Sequence, residues 1–118
     1  MSKLMFKIYR ENWSCIEPGS WFAMEWKIYD DYSVNVTIFY GNQKVLRKVY
    51  ITEDLYDNIV KNFKLAKKIN KSVIAYDGDA WRFTQFKNNK INWIRELDYI
   101  YGIKPLEYIT NQLLKMID

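Results

Sequence analysis

The chain has 118 residues, of which 49% are hydrophobic, and its net charge is +4. This length suits one domain and leaves no room for a second core, so we expect a single domain over residues 1–118. The hydrophobic fraction excludes wholesale disorder. The mild positive charge is compatible with an anionic partner but does not require one.

Cys15 is the only cysteine, so no intrachain disulfide can form. No histidine is present to activate its thiol, which favours a packing role. The N-terminal residues contain no apolar stretch of signal-peptide length, and no segment approaches the roughly 18 apolar residues of a membrane span. The sequence therefore predicts a cytoplasmic location and no membrane association.

Hydrophobic residues that alternate along the chain predict four strands in the first half. Residues 4–10, 21–29 and 34–40 show this period of two, and Val45, Val49 and Ile51 continue it. Short polar turns separate the last three strands. This spacing is typical of an antiparallel meander.

A helix is predicted over residues 53–70. Thr52 is a suitable N-cap, and hydrophobic residues then recur at helical spacing. The buried stripe is expected to comprise Leu55, Ile59, Phe63, Ala66 and Ile69.

The second half repeats the order of strands followed by a helix. A short strand is predicted at 73–76, and residues 80–87 and 90–96 form a hairpin in which Ile91 and Trp93 share a face. A last helix begins near Pro105. We therefore predict an α+β fold with an antiparallel sheet of about five to seven strands and two helices on one face.

Catalytic residues are sparse in this sequence. The absence of histidine removes the commonest general base and metal ligand, and the isolated glycines form no phosphate-binding loop. We therefore expect no enzyme activity, no metal site and no cofactor.

Four carboxylates are the remaining catalytic candidates. Asp77 and Asp79 bracket a glycine, and Glu96 and Asp98 lie two residues apart near a strand end. Acidic residues at such places are usually turn formers or solvated charges. With Asp77 counted as the first position of a calcium loop, the twelfth is Asn88, which does not fit such a loop.

Aromatic residues in loops are the best candidates for contact with a protein partner. Trp13 and Trp21 flank the loop that contains Cys15, and Tyr32 lies in a turn. We predict that Trp13, Trp21 and Tyr32 lie at one end of the sheet and bind a partner. Core packing of the two tryptophans is the alternative.

A second candidate surface is the polar side of the first helix, where lysines could contact phosphates. Asp57 lies among these lysines, and the RNA-recognition-motif signature is missing. The alternative function, nucleic-acid binding, would use Lys61, Lys64, Lys67, Lys68 and Lys71.

The C-terminal third resembles the tail of small bacterial α+β proteins, some of which are similar to immunity proteins. The resemblance lies in Asp79-Ala80-Trp81-Arg82-Phe83, in the Tyr-Ile-Tyr-Gly-Ile sequence at 99–103, and in residues 106–109. It implies a small cytoplasmic protein that binds another protein and has no catalytic role.

Overall fold

The computed structural model describes residues 2–12, 20–69, 79–97, 100 and 102–117, with the backbone alone for Asp79. The strand predicted at 73–76 lies outside these residues. The described elements are β1 Leu4–Asn12, β2 Ala23–Tyr29, β3 Ser33–Tyr40, β4 Gln43–Tyr50, α1 Glu53–Lys67, β5 Asp79–Lys87, β6 Lys90–Leu97 and α2 Lys104–Leu114.

The six described strands form one sheet in the order β4-β3-β2-β1-β5-β6, and every neighbouring pair is antiparallel. The predicted α+β class and the order strands, helix, strands, helix are confirmed. Within the sheet, β1 pairs with β5, a strand that is far from it in sequence. Their register runs without interruption from Phe6 opposite Gln85 to Asn12 opposite Asp79.

Both helices pack on the same face of the sheet. The ring of Phe6 in β1 stacks on Phe63 in α1, with centroids 4.2 Å apart. The indole Nε1 of Trp26 in β2 donates a hydrogen bond to the carbonyl of Leu113 in α2, at 3.1 Å. These four side chains are fully buried or nearly so, so this face of the sheet contains the core.

Side chains satisfy the backbone at both ends of α1. The Thr52 hydroxyl accepts a hydrogen bond from the Leu55 N–H at 3.1 Å, which confirms the predicted N-cap. At the other end, the Arg95 guanidinium of β6 donates to the carbonyls of Ala66 at 3.2 Å and Ile69 at 2.7 Å. Arg95 therefore ties the C-terminal end of α1 to the sheet.

The prediction that Ile91 and Trp93 share a face is wrong. The register of β5 and β6 shifts between Gln85 and Phe86, so that Gln85 lies opposite Trp93 and Phe86 lies opposite Ile91. A β-bulge in β6 thus separates the two residues onto opposite faces. Trp93 packs edge-on against Phe63 on the helix side, whereas Ile91 remains 62% exposed.

Tight turns connect the paired strands. Asn88 and Asn89 have φ values of 52° and 64°, the positive values expected of a two-residue hairpin loop. Tyr32, between β2 and β3, has φ 69°, which is uncommon for a residue other than glycine.

Neither α1 nor α2, the helices of the described residues, is long and apolar enough to span a membrane.

Candidate protein-binding surface

The second face of the sheet carries neither α1 nor α2. We call it the open face, and it bears Lys7 and Tyr9 of β1, Glu25 and Lys27 of β2, and Arg82 of β5. The five intervals between its six strands, each about 4.8 Å, and strand lengths near 25 Å give it an area of roughly 600 Å². This area approaches the roughly 800 Å² that each partner contributes to a standard protein–protein interface.

One row of cross-strand neighbours spans the open face. Lys48 of β4 lies opposite Asn35, Asn35 opposite Lys27, and Lys27 opposite Lys7. We call Lys7, Lys27 and Lys48 the basic row. Glu25 lies in the adjacent row, with carboxylate oxygens 3.5 Å from the Lys7 Nζ and 3.7 Å from the Lys27 Nζ. It offsets the repulsion between these two lysines.

The same row continues into an apolar region. Lys7 lies opposite Thr84 of β5, and Thr84 lies opposite Ile94 of β6. Ile94 is 49% exposed, and together with Ile91 and Phe86 it forms what we call the apolar corner. The open face is therefore basic towards β4 and apolar towards β6.

Tyr9 and Arg82 lie opposite each other on the open face, in the row of residues next to the basic row. Burial, with a further contribution from Glu11, raises the pKa of the Tyr9 phenol. Arg82 lies over the Tyr9 ring, 5.9 Å from its centroid, and its Nε is 2.8 Å from the Glu96 carboxylate. The candidate carboxylate Glu96 is thus part of an exposed ion pair.

The other carboxylate candidates cannot be placed against Glu96. Asp77 and Asp98 lie outside the described residues, as does the side chain of Asp79. Within the part of the chain that the structure describes, no group of three or more His, Cys, Asp or Glu side chains could hold a metal ion.

Trp21 contacts an arginine instead of extending freely from its loop. The Arg10 guanidinium lies 4.7 Å from the ring centroid of Trp21 and 5.1 Å from that of Trp81. Trp21 is partly buried and packs against the core. Trp13 and Cys15 lie outside the described residues. A partner-binding role for Trp21 and Trp13 stays a prediction.

Tyr32 lies against α1. Its ring is 5.1 Å from the Tyr56 ring, and burial, with further contributions from Glu53 and Asp57, raises the pKa of its phenol. Because Trp21 precedes β2 and Tyr32 follows it, the two residues lie at opposite ends of that strand. The prediction that they share one end of the sheet is wrong, although each can still contact a partner.

The lysines of α1 lie on the helix side of the molecule, away from the open face. Lys61, Lys64, Lys67 and Lys68 are all exposed, and Lys71 lies outside the described residues. The Lys67 ammonium is 5.9 Å from the Trp93 ring centroid, so this lysine also covers part of the core.

The sequence predictions missed the open face. The period-two pattern places Lys7, Lys27 and Lys48 on the polar sides of their strands, but only the strand order and register show that they are neighbours.

No protein-family model matches the chain, and no curated protein matches it significantly.

Proposed function

We propose that the chain is a non-catalytic, cytoplasmic protein-binding module of the immunity or inhibitor type, and that it binds its partner through the open face. The observation that supports this most is the apolar corner. Ile91 and Ile94 are 62% and 49% exposed on a sheet face that neither helix covers. Contiguous exposed apolar side chains with a polar surround are typical of protein-interaction surfaces.

The composition of the open face favours a protein over a nucleic acid. Two carboxylates already lie among the basic side chains: Glu25 contacts both Lys7 and Lys27, and Glu96 contacts Arg82. Phosphates would be repelled by these carboxylates. The most exposed apolar residues of the corner, Ile91 and Ile94, are aliphatic and offer no ring on which a base could stack.

The charge gradient suggests the chemistry of the partner surface. An acidic region would pair with the basic row, and an apolar region would cover Phe86, Ile91 and Ile94. Charged residues at the rim mainly set the association rate and the specificity, whereas a desolvated apolar centre supplies most of the affinity. We therefore expect the apolar corner to dominate the affinity.

The test compares two isolated surface substitutions in a capture experiment. Ile94→Glu changes the open face, and Leu65→Glu changes an aliphatic residue of similar exposure on α1, since Leu65 is 41% exposed and Ile94 is 49% exposed. Wild-type and variant proteins are immobilised and incubated with nuclease-treated native lysate of the source cells. We expect one protein to be retained by wild type and Leu65→Glu in stoichiometric amount and to be lost with Ile94→Glu.

Equal retention by Ile94→Glu and wild type would contradict binding through the open face. A third variant, Lys64→Glu with Lys68→Glu, tests the alternative of nucleic-acid binding by α1. If the protein retains nucleic acid from untreated lysate in a salt-dependent manner, and only this variant loses it, the alternative replaces the present proposal.

A further inference from the structure

The two edges of the sheet differ in regularity. The β6 edge is interrupted by the bulge opposite Gln85 and Phe86. The β4 edge, in contrast, pairs with β3 in an unbroken register from Tyr40 opposite Gln43 to Ser33 opposite Tyr50. No described strand lies on its outer side, and it contains neither proline nor glycine. Natural edge strands usually carry such interruptions because a regular edge invites pairing.

The turn before β4 determines which backbone groups face outward. A two-residue loop, Gly41-Asn42, joins the strands, and Gly41 has φ 48°. In such a hairpin Tyr40 and Gln43 form the closing hydrogen-bonded pair, and hydrogen-bonded pairs then alternate along the ladder. The N–H and C=O groups that face outward therefore belong to Lys44, Leu46, Lys48 and Tyr50.

The same residues give the edge a distinct chemistry. Lys44 and Lys48 flank Leu46, which is 66% exposed, and all three side chains lie on the open face. Arg47, on the helix side, donates a hydrogen bond to the Ile117 carbonyl. The strand has no acidic residue. Pairing with β4 of a second copy would place only basic charges along the shared edge, which disfavours self-association.

We infer that β4 accepts an acidic, extended segment of the protein partner as a seventh strand. Backbone hydrogen bonds to the outward groups would supply affinity, and side chains opposite Lys44, Leu46 and Lys48 would supply specificity. The matching segment carries an acidic residue, an apolar residue and an acidic residue at alternate positions. This inference rests on the proposed function, because it specifies one segment of the partner that the open face binds.

A synthetic peptide provides the direct test. The probe is a Thr-rich peptide of about ten residues with a central Glu-Thr-Val-Thr-Glu sequence, long enough to pair with all of β4. NMR-detected hydrogen exchange is measured on the labelled protein with and without it. We expect the peptide to slow exchange of the Lys44, Leu46, Lys48 and Tyr50 amides, which face outward, and to leave the α1 amides unchanged.

Matched variants separate charge from backbone pairing. The double variant Lys44→Glu with Lys48→Glu should bind the acidic peptide with about tenfold lower affinity. It should also bind the same peptide with lysines in place of its glutamates. Leu46→Pro removes one outward N–H without affecting the ladder to β3, and Leu46→Thr removes the apolar side chain alone. The Leu46→Pro variant should therefore bind the acidic peptide more weakly than the Leu46→Thr variant.

Four results would overturn the inference. They are no binding of the acidic peptide, equal binding of the acidic and the lysine peptides to wild type, peptide binding without slower exchange of the outward amides, and self-association of the free protein that Leu46→Pro abolishes. The proposed function fails separately, because it depends on Ile94→Glu in the capture experiment. Loss of capture with Ile94→Glu and no peptide binding would leave the open face as the docking surface without strand addition.

Discussion

The two faces of the sheet are built by adjacent residues of the same strands, yet their chemistry differs completely. Ile8 and Ile28 are fully buried beneath the helices, whereas their neighbours Lys7 and Lys27 form part of the basic row on the open face. Exposed aliphatic residues nevertheless remain on the open face, in the apolar corner and at Leu46 of β4. The comparison shows that burial by the helices explains one face, whereas the other is consistent with burial by a partner.

The largest expected effect is a difference in the stability that a truncation costs on each face of the sheet. Ile28→Ala, on the helix side, should lower the free energy of unfolding by about 2–5 kcal/mol, because it leaves a cavity in the core. Ile94→Ala, at a position that is 49% exposed, should lower it by less than about 1 kcal/mol. Urea denaturation measures both. Similar losses for the two variants would mean that the open face is as well packed as the core.

Replacing either of two arginines, Arg95 or Arg82, should change the stability by an intermediate amount and gives a second comparison. Arg95 donates to two carbonyls at the end of α1, so Arg95→Ala should cost about 1–3 kcal/mol and leave those carbonyls without this donor. Arg82 forms an exposed ion pair with Glu96, and Arg82→Ala should cost about 1 kcal/mol or less. Denaturation of both variants checks this order, and a larger loss for Arg82→Ala would reverse it.

The smallest expected effect is the contribution of Tyr9 to the pH dependence of stability in the alkaline range. Because burial raises the pKa of Tyr9 above its unfolded value of about 10, the folded state holds the phenolic proton more tightly. The resulting stabilisation is complete below that pH and is lost as the pH rises through the folded-state pKa. The free energy of unfolding of Tyr9→Phe should fall less steeply above about pH 10 than that of wild type. Parallel curves for the two proteins would exclude this contribution.

Much of the fold was accessible from the sequence. The alternation in residues 4–10, 21–29 and 34–40 predicted real strands, and the stripe through Ile59, Phe63 and Ala66 predicted the buried side of α1. These patterns are local. The pairing of β1 with β5 depends on contacts between distant segments, and the bulge in β6 has no evident sequence signal, so neither was predictable.

The candidate surface was less accessible for the same reason. A single strand shows which residues share its face, but a surface such as the basic row requires the order and register of several strands. The opposite positions of Trp21 and Tyr32 could have been predicted, because residues before and after one strand lie at its two ends. The chemistry of the open face arises only when Lys7, Lys27 and Lys48 become neighbours.

Lysine footprinting of the complex tests the central claim most directly. The protein is acetylated with and without the captured partner, and the modified lysines are quantified by mass spectrometry. The account predicts that Lys7, Lys27 and Lys48 of the open face lose reactivity in the complex, whereas Lys61, Lys64 and Lys68 of α1 keep theirs. Protection of the α1 lysines with unchanged reactivity of the basic row would contradict it.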